Sequence, residues 1–214
     1  MKTKIIKFLQ KEYNAQAILL HGSRARGNPH KQSDWDLLVF TDQITKGNGG
    51  DKLNDQNLDI KVVQLPIPDM DKFISGYPQS LQFIEILLDT DDGIASKILK
   101  LSRQKYKKGP GTTTQQKEYI ENHFDRMITR LIDFKDNPQI FFYHLSSFYI
   151  KTIRYWFEYQ NRWSQPISEA LEIIKKEDNE FMDAINIISD KNSSIDDKIK
   201  AAEKMISIIL KKSS

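Results

Sequence analysis

Residues 21–40, HGSRARGNPHKQSDWDLLVF, constrain the fold more than any other stretch of the chain. A polar loop carrying glycines and arginines lies between the apolar runs AQAILLH and DWDLLVF. Both runs are short and dominated by buried-type residues, so the segment reads as strand, loop, strand. Side chains alternate between the faces of a strand, which places Asp34 and Asp36 on one face, roughly 7 Å apart along the backbone, and Trp35 on the other. Two carboxylates on one face repel each other and stay ionised together cheaply only with a cation between them. Oxygen-only ligands select a hard divalent ion, above all Mg²⁺. A third acid, Asp59, opens the next strand in NLDIKVV, with Leu58 and Ile60 turned to the opposite face. Three carboxylates on adjacent strands can hold one or two Mg²⁺ ions, an arrangement that activates an attacking oxygen and steadies a phosphoryl leaving group.

The loop supplies the other half of such a site. Gly22 ends a strand and lets backbone approach a ligand closely. A helix beginning near Ser23 would turn free N–H groups toward a phosphate, and the Ser23 hydroxyl adds a donor. Arg24 and Arg26 stand close enough for one of them to pair with phosphate oxygens. Gly22, Ser23 and one of these two arginines are therefore the expected phosphate contacts.

GSRARG at 22–27, SDWDLLV at 33–39 and the later Asp59 resemble the GS-x-A-R-G, S-D-x-D-L-x-V and D signature of the DNA polymerase beta-like nucleotidyltransferase superfamily. The resemblance covers residues 1 to 105 and implies an α+β fold. A small mixed β-sheet flanked by helices forms a catalytic domain, and an all-α helical bundle of the antibiotic-nucleotidyltransferase kind follows it. It also implies roles: Gly22 and Ser23 grip the triphosphate, with Arg26 the nucleotide-binding candidate of the two arginines, while Asp34, Asp36 and Asp59 bind the metals and activate the acceptor hydroxyl. The implied reaction is Mg²⁺-dependent transfer of a nucleoside monophosphate, AMP from ATP, to a hydroxyl of a small molecule such as an aminoglycoside-like compound, releasing pyrophosphate. Two alternatives stay open: an antitoxin-type adenylyltransferase acting on a partner protein, and a catalytically silent nucleotide-binding regulator. Related enzymes often build the cleft from two subunits, so a homodimer is compatible with the resemblance.

Around this centre, residues 2–13 read as an amphipathic helix, 41–57 as a polar connection, LDIKVVQLP as a third strand, and 67–90 as helical sequence broken at Gly76 and Pro78. DDGIASKILKLSRQKYK reads as a turn and a helix. KKGPGTTTQQ breaks the composition: Gly109, Pro110 and Gly111 stop a helix, and Thr113 with Gln116 has capping-box spacing for the next. The expected domains are 1–108, the nucleotidyltransferase, and 112–214, an acceptor-binding bundle with helices near 115–136, 138–162, 166–176, 179–190 and 194–212. The second of these is aromatic on nearly every side and is expected to be the buried centre of the bundle.

Two further groups are candidate contacts for nucleotide or acceptor. Glu85, in QFIEILLD, reads first as a polar residue on an amphipathic helix and second as a base near the acceptor. Lys151, Arg154 and Glu158 share a helix face, which reads as a solvated stripe with a local ion pair or as a surface touching ligand.

Composition narrows the field. With 32 basic and 29 acidic residues the net charge is +3, too balanced for a nucleic-acid-coating protein. No basic, aromatic-rich strand-binding region accompanies the catalytic domain, so a nucleic-acid partner is not expected. There is no cysteine, which removes disulfides, thiolate metal sites and a cysteine nucleophile. No signal-peptide pattern or membrane-length apolar run is present, giving the expectation of a cytoplasmic protein without a membrane partner.

Overall fold

Ile5, Leu9 and Tyr13 recur at helical spacing, and α1 (Lys2–Tyr13) buries all three. Asn14 ends it in the left-handed conformation, with a backbone N–H donating to the Leu9 carbonyl. The chain then enters β1 (Ala17–His21), a four-residue helix α2 (Gly22–Ala25), β2 (Trp35–Thr41), β3 (Gly49–Leu53), β4 (Gln56–Gln64), α3 (Met70–Ser75), β5 (Glu85–Leu88) and α4 (Ile94–Lys108). This computed structural model describes residues 1–75 and 83–211, so the expected breaks at Gly76 and Pro78 lie outside the described residues.

The strands form one mixed sheet in the order β3-β4-β2-β1-β5. β2 and β4 run parallel, and the other three pairings are antiparallel. The period-2 alternation of strand side chains fills two cores. Ile18, Leu20, Leu37, Val39, Leu58 and Ile60 pack with the buried face of α1. Ala17, Leu19, Leu38 and Phe40 pack with Ala95 and Ile98 of α4. The mixed sheet is thus covered by helix on both faces.

Two elements differ from the sequence expectation. The polar connection contains β3, whose GGDKL has almost no strand-forming residue. Pairing makes it a strand: it is zipped to β4 through Asn54 and Asp55, both at positive φ (49° and 61°), the backbone of a tight two-residue hairpin turn. Asp51 then ties it to α1, accepting from the Tyr13 hydroxyl at 2.5 Å and from Lys46 at 2.6 Å. The second difference is Glu85–Leu88, which is strand and not helix. Ladder pairing along β1 overrides the helical propensity of Glu, Ile and Leu.

The chain divides into two compact units, Met1–Lys108 and Gly109–Ser214. The second is helical: α5 (Thr114–Asp133), α6 (Pro138–Glu158), α7 (Ile167–Glu177), α8 (Asn179–Ser189) and α9 (Ile195–Lys211). The Thr113–Gln116 capping box forms, with Thr113 Oγ1 accepting from the Gln116 N–H and Gln116 Oε1 from the Thr113 N–H. α6 buries Phe141, Leu145, Phe148, Ile153, Trp156 and Phe157. It is not wholly buried as expected, because Phe142, Tyr143 and Ile150 are 47%, 72% and 62% exposed. Aromatic content marked the helix, but only one stripe of it faces the core.

Two buried polar groups hold the bundle. Lys198, 3% exposed, donates from Nζ to the carbonyls of Ile187, Ile188 and Asp190, closing the C-terminus of α8. Asp178 accepts from the Trp156 indole at 2.9 Å and caps α8 at the Phe181 N–H at 3.0 Å. Asp178→Ala removes a cap and strands a buried indole N–H, so we expect a loss of about 2–4 kcal/mol of stability. Urea denaturation followed by tryptophan fluorescence measures it; a change within error of zero contradicts this account of the bundle.

Candidate active site

The site is set by strand register. His21 pairs with Asp36 across β1 and β2, and Asp36 pairs with Asp59 across β2 and β4. These three are lateral neighbours on three adjacent strands. Leu19, Leu38 and Val63, at even spacing from them, enter the core on the α4 side, so His21, Asp36 and Asp59 share that face. Their intervening neighbours Trp35, Leu37, Leu58 and Ile60 enter the α1 core. Asp34 lies just before β2 and not within it, exposed, two residues from Asp36.

Asp36 is the centre of this group. It is half-buried, and burial, then Asp59, then Asp34 push its carboxyl above the usual carboxylate range, with Arg26 and Arg24 opposing. Gly22 is fitted against it. At φ 71° it sits in the left-handed region, and a Cβ there would stand 1.9 Å from Asp36 Oδ2. Glycine is therefore needed twice, for its backbone angle and for the space the carboxylate occupies.

The loop residues divide their labour. Arg24 is spent on structure: its Nη2 donates to the Ser33 carbonyl at 2.6 Å and to Gln56 Oε1 at 3.1 Å. Its Nε donates to the Asp34 carbonyl at 3.0 Å, and its guanidinium lies 4.7 Å above the Trp35 ring. That bracing fixes the loop against β2 just where Asp34 emerges. Arg26 is the arginine whose field reaches both Asp36 and His21. The hydroxyl of Ser23, on α2, makes no hydrogen bond among the described residues.

The sequence motif does not mark His21, a strand-end residue beside the loop. Its rung beside Asp36 makes it part of the site, a position legible from the alternation 17, 19, 21. Burial holds its imidazole below the usual range, Lys61 and Arg26 add to that, and Asp59 opposes. A concavity of about 360 Å³ opens here, lined by His21, Asn48, Gly49, Gly50, Asp59 and Lys61 among others. Gly49 and Gly50 belong to the strand the sequence reading missed, and Gly50 pairs with Asp59.

Glu85 does not join this group. It pairs with Leu20, whose side chain enters the α1 core, so it sits on the opposite face of the sheet, ion-paired to Lys2 at 2.5 Å. Lys151 and Arg154 belong to the second unit, where Arg154 is paired with Glu158 at 2.5 Å.

The donor set fits a hard divalent cation. It is all oxygen, with Asp36 and Asp59 on one rung, and the raised Asp36 carboxyl registers negative charge that its neighbours do not fully offset. Among the described residues no three acidic or imidazole groups close around a single point, in keeping with carboxylates that repel each other.

Because the folded-state pKa of Asp36 lies above its unfolded value, its ionisation costs the folded protein stability at neutral pH, and that cost fades as pH falls through the raised pKa. Asp36→Asn is therefore expected to raise the thermal midpoint at pH 7, with the gain shrinking on acidification until wild type and variant coincide. Melting curves between pH 7 and 3 check this; a variant less stable than wild type at pH 7 contradicts it. Gly22→Ala should lower the midpoint, with about 1–2 kcal/mol lost to the backbone angle alone.

Comparison with known proteins agrees with the geometry. Residues 3–75 match the family described as polymerase beta, nucleotidyltransferase. No curated protein sequence matches the chain. Among solved structures, a nucleotidyltransferase-like protein from Exiguobacterium sibiricum 255-15 is similar over 99% of this chain and 73% of its own, with a TM-score of 0.54 at 13% identity, which is a likeness of fold. A mutant of the toxin–antitoxin MntA-HpeT aligns over 57% of this chain and 97% of its own at 17% identity, with a TM-score of 0.34, too low to support an argument. The segment that carries the Gly22–Ser23 loop and the three aspartates, residues 3–75, is thus the part of the chain that matches the polymerase beta nucleotidyltransferase family.

Proposed function

We propose that this protein is a divalent-metal-dependent nucleotidyltransferase that moves a nucleoside monophosphate, AMP from ATP, onto a hydroxyl of a small molecule and releases pyrophosphate. The observation that carries the reading is the rung shared by Asp36 and Asp59, with the Asp36 carboxylate lodged against the Cα of Gly22. That contact joins the acids to the loop whose serine hydroxyl is open to a ligand.

Asp34, Asp36 and Asp59 would hold Mg²⁺, which when bound supplies positive charge to the phosphates and eases loss of the acceptor's proton. The chain's own groups do the rest. Ser23 donates a hydrogen bond to a non-bridging phosphate oxygen, and Gly22 lets the nucleotide's tail approach the backbone. A bond forms between the acceptor oxygen and the α-phosphorus while the bond from that phosphorus to the β-bridging oxygen breaks, its electron pair leaving with pyrophosphate. Asp59, exposed at the mouth of the concavity, takes the acceptor's proton. Arg26 offsets charge that gathers on the departing pyrophosphate.

The test is incubation with labelled ATP, Mg²⁺ and a panel of hydroxylated small molecules, following label and pyrophosphate together. Asp36→Asn and Asp59→Asn should each reduce turnover about a thousandfold, and Ser23→Ala about a hundredfold. Label on a protein band in lysate would move the acceptor to a protein. Nucleotide binding without turnover, unchanged by Asp36→Asn, would overturn the enzymatic reading.

A further inference from the structure

The second unit carries a built cationic face that the transferase reading does not use. Tyr119, His123, Arg126 and Arg130 fall at i, i+4, i+7 and i+11 along α5 and so share one side of it. α6 opposes them with Lys151 and Tyr155, and the two helices are joined on this side by the His123 Nδ1–Tyr155 hydroxyl hydrogen bond at 2.8 Å. Ring contacts continue the join: Tyr119 to His123 at 5.7 Å and His123 to Tyr155 at 5.8 Å between centroids.

The charges that reach His123 are one-sided. Arg126 and Arg130 are exposed and Lys151 half-buried, and none of the three forms an ion pair within 4 Å among the described residues. The neighbouring acids form no ion pair with them among the described residues. Glu158 is paired with Arg154, and neither Asp125, adjacent to Arg126, nor Asp133, three residues beyond Arg130, forms an ion pair among the described residues. The fields of all three cations reach the His123 ring: burial first, then Lys151, Arg126 and Arg130, hold its imidazole below the usual range. At the Tyr155 hydroxyl the field of Arg126 joins those of Glu158 and Arg154, which oppose each other.

Like charges held together without counter-charge raise the energy of the unliganded face, and an oxyanion relieves it through charge-assisted hydrogen bonds. Arg126 and Arg130 stand one turn apart, roughly 6 Å along the axis, and Lys151 lies on the facing helix. That spread suits several anionic groups in a row better than a single small ion, and it repels a polycation. We propose that the α5–α6 face, built from Arg126, Arg130, Lys151 and the His123–Tyr155 pair, is a binding site for a ligand bearing two or more phosphate groups. The inference stands on the second unit alone and does not rest on the reaction assigned to the first.

The experiment reads the His123 ring directly. In the full chain carrying ¹³C-histidine, the His123 Cε1–H signal is assigned by its loss in H123N, and inorganic tripolyphosphate is titrated at low salt. A saturable shift of that signal is expected, weakening as salt is raised. In the variant R126Q/R130Q/K151Q the apparent Kd should rise about tenfold or more, and K151Q alone serves as a milder version. Spermine should leave the signal in place. An unmoved His123 signal, an affinity unchanged in both variants, or a response to spermine alone would each overturn the proposal. Asp36→Asn should leave the His123 response intact, so failure of this site and failure of the transferase reading can be told apart.

Discussion

The parallel ladder between β2 and β4 is the constraint on which the first unit depends. It aligns Asp36 with Asp59 on one rung while their neighbours Trp35 and Leu58 go to the α1 core. A slip of one residue would carry an acid into that core and a tryptophan to the surface, so hydrophobic burial enforces the register that brings the acids together. The same rung, extended to β1, brings His21 beside them. Gly22 follows at once, where the chain must turn away without a side chain because the Asp36 carboxylate fills that space. Packing on one face of the sheet therefore determines the chemistry available on the other.

This arrangement opposes stability. A half-buried carboxylate with two others near it is disfavoured in its ionised form, and an asparagine of nearly the same shape would sit there with less cost. Three features hold the charge in place: the two-sided core beneath it, the bracing of the loop by Arg24, and the nearby Arg26. Unfavourable local electrostatics maintained by rigid surroundings are what a site built to receive a cation and a phosphate should look like.

Much of this was legible in the sequence, for definable reasons. The strands carrying the acids show clear alternation, so the faces of Asp36 and Asp59 within their own strands were readable, although Asp34 precedes its strand and the rung that joins Asp36 to Asp59 comes from pairing. What sequence periodicity could not show was pairing. β3 is built of Gly, Asp and Lys and exists because β4 and α1 hold it, so the glycine wall of the concavity beside Asp59 went unread. β5 uses helix-forming residues and exists because β1 offers an edge, which is why Glu85 was placed on a helix and near the acceptor. His21 escapes the sequence pattern for the same reason: a strand-end histidine gains meaning only from the residue on the next strand.

Charge tells a similar story in the second unit. A net charge of +3 over the chain conceals opposite local concentrations, carboxylates around Asp36 in one unit and cations around His123 in the other. Composition averages over both. The stripe of Lys151, Arg154 and Glu158 could be found from the spacing of one helix, and read alone it resembled a solvated face with an ion pair, which is what Arg154 and Glu158 form. Lys151 differs from them only because α5 sets Arg126, Arg130 and His123 opposite it. Two weak periodic signals on separate helices, neither worth an assignment by itself, become one electrostatic feature when a histidine–tyrosine hydrogen bond fixes the helices face to face. A site of this kind is a property of the pair of helices, and it becomes visible only when both are placed.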